Sequence, residues 1–259
     1  MALEALPFVN WLFWAALTAG SLLVVGVTEV LGGTTRGYRL FMAVLLAVCA
    51  GILLLSELNL APGTWADETG ELRRGMVWVV VGLTAAYLVA SIARLPRSGL
   101  AIAAGSAGIF CLAVLAAAGN TRSAPLFTAQ LILIALALGA GIAAMLLGHW
   151  YLVTPKLSPA PLRRMMWLLL AALAGQAVLF AVAILAVSSG PLGGPIGWLT
   201  WLRLVAGILL PIGITILAVL ASRASSLQAS TGLLYIGLAL VMAGSIAGVS
   251  LAYLTGVPV

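Results

Sequence analysis

Charged residues are scarce in this chain of 259 residues. They make up 7% of the sequence, whereas hydrophobic residues make up 64% and the mean hydropathy is +1.24. Folded soluble domains carry about 25% charged residues, so this composition excludes a soluble globular protein. Backbone groups inside a bilayer must bond to one another, so only helices or a closed barrel can span it. The long unbroken apolar runs lack the alternation of barrel strands and predict an all-α integral membrane protein.

Residue types that carry redox, metal or enzymatic chemistry are also few. The single histidine argues against bis-histidine haem, and no predicted span contains the lysine that a retinal Schiff base needs. The two cysteines are isolated in apolar runs, and no HExxH, Gly-x-Ser-x-Gly or Walker motif occurs. We therefore expect no metal site, no covalently bound cofactor and no catalysis by the chain alone, while a bound quinone stays compatible with the sequence.

The excess of basic over acidic residues is moderate and needs no nucleic acid to explain it. The formal net charge is +6 and the pI is about 10.0. An excess of this size, spread through short loops, is what membrane orientation produces. We expect membrane lipids as partners and no nucleic acid.

Eight stretches of the sequence reach the length of about 20 apolar residues that a bilayer core requires. They cover approximately 8–31, 38–57, 76–94, 99–118, 125–148, 165–188, 198–221 and 231–255. Segments rich in Gly, Pro, Asn and Ser separate them. No linker is long enough to separate soluble domains, so residues 1–259 are predicted to form a single transmembrane domain.

The basic residues of the short loops are unevenly distributed, and this bias predicts the orientation of the chain. Loops after the odd-numbered helices hold eight of them, namely Arg36, Arg39, Arg94, Arg97, Lys156, Arg163, Arg164 and Arg223. Loops after the even-numbered helices hold three, namely Arg73, Arg74 and Arg122. The positive-inside rule puts the odd-numbered loops in the cytoplasm and both termini outside it. We expect a multi-pass protein of a prokaryotic-type inner membrane.

The two halves of the chain, 1–120 and 121–259, share several small-residue pairs at matching places. Ala19-Gly20 in the first helix corresponds to Ala140-Gly141 in the fifth, and Ala50-Gly51 in the second to Ala174-Gly175 in the sixth. An even number of helices per half would make these parallel repeats. Membrane helices also use Gly and Ala for close packing without any duplication, so both interpretations stay open.

Two charged residues near the predicted outer face are candidates for a polar or quinone-binding pocket. Glu57 lies near the outer end of the second helix and Arg203 about one turn inside the seventh, a depth at which charges are costly. If these helices are neighbours, the two side chains form an ion pair; otherwise each reaches the headgroups alone. The same face carries the further candidates Asn10, Trp11, Trp14, Trp198 and Trp201, in a tryptophan belt with Trp65 and Trp78.

Three residues near the predicted inner face are candidates for a proton path. Glu29 lies near the inner end of the first helix, where arginines of the next loop could instead neutralise it. His149 and Tyr151 belong to the segment Gly148 to Ser158, which holds the only histidine and the only lysine of the chain. This segment suggests a contact with a partner, a lipid or a quinone headgroup, or else a plain interfacial anchor.

A run of features in the first 65 residues has a counterpart in a known family. The run comprises Trp11 to Gly20, then Glu29, then Gly37-Tyr38-Arg39 and the helix exit Leu58-Asn59-Leu60-Ala61-Pro62. It resembles the NrfD-type family of quinone-interacting subunits, the anchors of polysulfide reductases. The resemblance implies two four-helix bundles and a haem-free subunit between an outer menaquinol pocket and an iron–sulfur partner. Asn59 departs from the aspartate expected there, and residues 148–158 match nothing in the family.

Taken with the shortage of cofactor ligands, these features favour a non-catalytic, quinone-binding or quinone-adjacent subunit of a respiratory or photosynthetic electron-transfer complex. Such a chain would need protein partners that hold the redox centres. The alternative is a small transporter or ion-conducting protein, since Gly190-Pro191, Gly193 to Pro195 and a kink at Pro211 could supply unwound backbone. A purely structural membrane subunit is a third interpretation, and a lipid-modifying enzyme a fourth.

Overall fold

The computed structural model describes residues 2–60, 69–119, 124–154, 157–186 and 194–258. These residues contain no strand and form eight helices that are long and apolar enough to cross a membrane. The helices are α1 Ala2–Leu31, α2 Arg36–Leu58, α3 Gly70–Ala93, α4 Ser98–Gly119, α5 Ala124–Val153, α6 Ala160–Ala186, α7 Gly197–Arg223 and α8 Leu227–Thr255. The predicted all-α membrane class and the predicted number of spans are confirmed.

The helices pack as two rings of four. In the first bundle, α1–α4, each helix packs against the next and α4 closes the ring on α1. In the second bundle, α5–α8, the same order of neighbours recurs, and α8 closes the ring on α5. The bundles meet mainly along α1 and α5. This equal neighbour order is what two parallel four-helix repeats require, while a duplication of one ancestral unit stays a prediction.

The seam between the bundles is built from helices that approach almost backbone to backbone. A Cβ atom added to Gly20 would lie 1.8 Å from the Ala135 carbonyl oxygen, and one added to Gly139 would lie 2.3 Å from the Gly20 carbonyl carbon. Only glycine fits at such a crossing. Beside it, the buried Tyr38 hydroxyl donates a 3.0 Å hydrogen bond to the Ala143 carbonyl and ties α2 to α5.

Helix α7 is irregular in the region where the sequence predicts a kink. Residues Val205–Leu209 form a π-helical turn, and Pro211, which cannot donate a backbone hydrogen bond, lies two residues after its end. Gly207 lies against Gly244 of α8, where an added Cβ would be 2.6 Å from the Gly244 Cα. The irregular turn therefore faces a neighbouring helix and allows α7 and α8 to pack closely.

The positions of the chain ends distinguish the two faces of the bundle. Because the number of spans is even, α1 begins and α8 ends at the same face, which we call the terminal face. The other is the opposite face. The sequence predicts that the terminal face lies outside the cytoplasm. Of the residues singled out from the sequence, Ala61, Pro62, Trp65, Arg122, Lys156 and the turn 190–193 lie outside the described residues.

Candidate functional site

Glu57 and Arg73 form a buried ion pair at the terminal face of the first bundle. Glu57 is the penultimate residue of α2, and Arg73 lies in the first turn of α3. The Arg73 Nε donates to both carboxylate oxygens, at 2.9 and 3.2 Å, and Nη2 donates to Oε1 at 3.1 Å. The side chains are 7% exposed for Arg73 and 0% exposed for Glu57. Three charge-assisted hydrogen bonds therefore hold a carboxylate that has no contact with solvent.

The pair has two further neighbours that bear on its electrostatics. The Arg74 Nε lies 3.9 Å from Glu57 Oε1, but this second arginine is more than half exposed. The Arg73 guanidinium carbon lies 5.7 Å from the centre of the Trp11 ring, within the range of a cation–π contact. Two arginines therefore approach the single buried carboxylate, while the acidic Glu71 of the same helix turn is exposed.

Trp11 connects the ion pair with the interior of the first bundle. Its side chain is fully buried, and its indole N–H has no hydrogen-bond partner among the described residues. The ring lines a narrow crevice together with Met76 and Cys111. The crevice holds about 10 Å³, which is close to the minimum for one water. A buried N–H without a partner is costly, so the site favours an acceptor there.

A second crevice leads from the ion pair toward the surface. It lies between α3 and α4, is lined by Arg73 and Leu72, and shares Met76 and Cys111 with the first crevice. The Leu72 side chain is exposed on the outside of the bundle. The two crevices are therefore neighbours between Leu72 at the surface and the buried Trp11 indole, and the second has no room for a water molecule.

Asn10 and Trp14, both predicted candidates, lie near this site. The Trp14 indole N–H donates to the Asn10 Oδ1 at 3.1 Å, and the Asn10 amide donates to the Ser56 Oγ at 3.0 Å. Ser56 directly precedes Glu57 in α2. The hydrogen-bond chain fixes the end of α2 against α1 and so helps to position the carboxylate.

The predicted ion pair between Glu57 and Arg203 is wrong. Arg203 is only 1% exposed and donates to the Gln176 Oε1 at 2.8 Å and to the Gly244 carbonyl at 3.2 Å. These acceptors belong to α6 and α8, the neighbours of α7, whereas α2 packs against α1 and α3. Each guanidinium thus finds its acceptors within its own ring of helices. The depth of Arg203 also rules out the alternative that it reaches the headgroups alone.

The predicted pocket wall of Trp198 and Trp201 is not formed either. The two side chains are exposed on the surface of the bundle, Trp198 to 66%. Thr200 and Arg203, on the other side of the same helix, are the buried residues of this turn. Amphipathic indole rings at the end of a span are suited to the lipid interface. They are anchors here rather than part of a polar site.

The two bundles nevertheless place an arginine in equivalent positions. Arg73 lies near the start of α3 and bonds to Glu57 of α2, while Arg203 lies near the start of α7 and bonds to Gln176 of α6. In each bundle, an arginine of the third helix therefore donates a hydrogen bond to a side chain of the second helix. The acceptor is a carboxylate in the first bundle and a neutral amide in the second.

A second buried acid lies at the opposite face of the first bundle. Glu29 accepts a 2.8 Å hydrogen bond from the Tyr87 hydroxyl and forms a 3.1 Å ion pair with Arg97. Arg97 belongs to the connection between α3 and α4, so the predicted neutralisation by Arg36 or Arg39 is wrong. The partners come from α3 and from the connection that leads into α4, instead of from the loop that follows α1.

His149 and Tyr151 do not join Glu29, because they belong to the second bundle. The exposed His149 ring nitrogen Nδ1 lies 3.2 Å from the Tyr235 hydroxyl of α8. The Tyr151 hydroxyl donates to the Ser158 carbonyl and so fastens the chain that leads into α6. These contacts stabilise the connection between α5 and α6 at the opposite face, and neither of them involves an acidic side chain.

The comparisons with known proteins return no relative. No family model, no curated protein and no solved structure matches the chain. Its function is therefore inferred from the geometry of the described residues.

The two bundles differ in their content of acidic residues. The last acid of the sequence is Glu71, so residues 72–259 contain neither Asp nor Glu. Both buried carboxylates, Glu57 and Glu29, lie in the first bundle, one at each face. A site that exchanges protons through a carboxylate can exist only there. The described residues contain no group of three or more His, Cys, Asp or Glu side chains able to hold a metal ion.

Proposed function

We propose that the chain is a non-catalytic membrane subunit of a respiratory or photosynthetic electron-transfer complex, and that a quinone headgroup binds beside Glu57, Arg73 and Trp11. The observation that carries this proposal is a buried acid–arginine pair whose arginine lines a narrow crevice between α3 and α4 and lies 5.7 Å from the ring of Trp11, a buried indole without a hydrogen-bond partner among the described residues. A quinone dissolved in the bilayer would enter sideways between α3 and α4.

The side chains of this site match the chemistry of a quinone. The two carbonyl oxygens of the headgroup accept hydrogen bonds, and the Trp11 indole and the Arg73 guanidinium are donors that lie close together, with 5.7 Å between the guanidinium carbon and the ring centre. Oxidation of a quinol releases two electrons and two protons. In this proposal Glu57 accepts one proton, the second proton passes to water at the terminal face, and a redox centre in a partner subunit accepts the two electrons.

The headgroup is larger than the space now present, so the crevice must open. The residues in the way are Leu72 and Met76, whose unbranched or exposed side chains can change rotamer without moving a helix. Such rotamer changes would leave the backbone of α3 and the Glu57–Arg73 ion pair in place.

Quinone binding by the purified full chain tests the proposal. A short-chain naphthoquinone is titrated while the quenching of tryptophan fluorescence is measured in nanodiscs. Glu57→Gln removes the carboxylate that positions Arg73, so the guanidinium should lose its hydrogen bond to the quinone carbonyl and binding should weaken roughly 10- to 100-fold. Glu71→Gln is the matched control, since Glu71 is exposed in the same helix turn as Arg73. Arg73→Lys keeps the charge and serves as a second variant if Glu57→Gln unfolds.

Equal quenching in the wild type and all three variants, no stronger than in empty nanodiscs, contradicts quinone binding at this site. A purely structural subunit predicts that outcome, with effects of the substitutions confined to stability.

Ion conduction is the second candidate, and a row of polar residues along α1 favours it. Trp11, Thr18 and Glu29 are 7 and 11 residues apart and so share one face of the helix. Thr18 is fully buried, and its hydroxyl has no hydrogen-bond partner among the described residues. The row runs between the two faces that carry the buried acids.

Proton flux in liposomes separates the two candidates. Ion conduction predicts that the purified chain acidifies the lumen of vesicles under an applied gradient, and that Glu29→Gln abolishes the flux while Glu71→Gln preserves it. A wild type without flux above that of empty vesicles rejects this candidate and leaves the quinone proposal standing.

A further inference from the structure

A lipid-facing groove of about 350 Å³ runs between α6 and α7. Its walls are apolar and include Leu170, Ala174, Ile212 and Ile216. From Arg223, at the opposite face, to Ile212 the groove follows eleven residues of α7, or roughly 16 Å at the helical rise. That length equals about half the hydrocarbon core of a bilayer, which is the depth that one acyl chain occupies.

The mouth of the groove is aromatic and cationic. The Arg223 guanidinium carbon lies 5.8 Å from the centre of the Trp167 ring. Arg163 lies one helical turn before Trp167 on the same face of α6. The Arg163 Nε is buried and has no hydrogen-bond partner among the described residues. Two guanidinium groups, one from each helix, therefore lie at the same end of the apolar slot.

No carboxylate of the second bundle can neutralise these two arginines. Residues 72–259 contain no Asp or Glu. At the opposite face, the described acid is Glu29, and it is already held by Tyr87 and Arg97 of the first bundle. Positive charge beside an apolar slot is complementary to a ligand with an anionic head and a hydrocarbon tail.

We propose that the groove between α6 and α7 binds an anionic phospholipid. One acyl chain lies along the slot between Trp167 and Ile212, and the phosphate lies between Arg163 and Arg223. Arginine and tryptophan side chains at the ends of spans are placed at the depth of the headgroups, where the phosphate is. A neutral isoprenoid tail would fill the slot as well, but it would leave both guanidinium groups without an anion.

Lipid titration of the delipidated full chain in detergent tests the proposal. Phosphatidylglycerol and phosphatidylcholine with identical acyl chains are added, and bound lipid is counted by native mass spectrometry. We expect phosphatidylglycerol to bind preferentially. Each arginine near the headgroups contributes roughly fivefold in affinity, so Arg163→Gln and Arg223→Gln should each remove about that factor.

Two further variants make the result specific to the groove. Ala174→Phe fills the slot without changing the charge and should weaken the binding of both lipids. Arg36→Gln removes an exposed arginine of the same face outside the groove and should leave phosphatidylglycerol affinity unchanged. Equal affinity for the two lipids overturns the proposal. A loss in Arg36→Gln as large as in Arg223→Gln overturns it too, because it indicates diffuse surface attraction. Displacement of bound phosphatidylglycerol by a neutral quinone assigns the slot to the quinone instead.

Discussion

Replacing Gly20 by alanine should disrupt the seam between the bundles. The added methyl carbon would lie 1.8 Å from the Ala135 carbonyl oxygen and 3.0 Å from the Ala135 Cα, both of which are backbone atoms of α5. Ordinary contact begins at about 3.5 Å, so α1 and α5 would have to separate by roughly 2 Å. No side-chain rotamer can relieve this contact, because both partners are main chain.

The expected loss of stability can be bounded from two opposing effects. Forcing an extra carbon into a tightly packed interface costs up to about 3 kcal/mol, and the contact here is at the severe end of that range. Alanine is favoured over glycine within a helix by about 1 kcal/mol. The net expectation is a destabilisation of about 2 kcal/mol for Gly20→Ala.

A matched control is available in Gly82 of α3, where an added Cβ meets no atom within 4 Å. Gly82→Ala should gain the helix preference of alanine without a steric clash. It should therefore stabilise the protein, whereas Gly20→Ala should destabilise it. Unfolding by sodium dodecyl sulfate in mixed micelles, followed by circular dichroism, measures both. Equal stability of the two variants would refute the backbone-to-backbone seam and with it the way the bundles are joined.

The remaining predictions concern orientation and two buried polar contacts. A reporter fused behind the C-terminus should read as external and one inserted near Ser158 as cytoplasmic, because of the loop charges; a cytoplasmic C-terminus contradicts this. Glu57→Gln should cost about 3–5 kcal/mol in the same unfolding assay, since it removes the anion from a buried ion pair. Arg74→Gln, at an exposed side chain 3.9 Å from that carboxylate, should cost less than about 1 kcal/mol, and equal losses would argue against the assignment of the pair. Tyr38→Phe should cost about 1 kcal/mol through the lost bond to Ala143, and an unchanged unfolding midpoint would show that this bond contributes nothing.

The fold class and the number of spans were predictable from the sequence because each depends on local properties. A span is recognised by its own length and hydropathy, and these do not depend on its neighbours. The break near Pro211 was predictable for the same reason, since the residue itself removes the hydrogen bond. The π-helical form of that break, and its fit against Gly244, depend on α8 and were not predictable.

The partners of the buried charges were not predictable, because they depend on which helices are neighbours. The sequence assigns Arg73 to a loop, since the predicted third span begins at residue 76, whereas α3 begins at Gly70. Arg73 lies only three residues before that predicted span, and this short distance was the available signal in the sequence that α3 begins earlier. The pairing of Glu29 with Arg97 likewise depends on how the ring of helices closes on α1, which hydropathy does not encode.

Photolabelling with an azido-quinone in native membranes tests the proposed quinone site most directly, because it reports where the headgroup lies. The labelled peptides are mapped by mass spectrometry and compared with those labelled by a lipid carrying the same azide. We predict quinone-specific labels at the terminal-face ends of α1, α3 and α4, around Trp11, Met76 and Cys111. Labels confined to the second bundle, or identical for quinone and lipid, would contradict a quinone site beside Glu57 and Arg73.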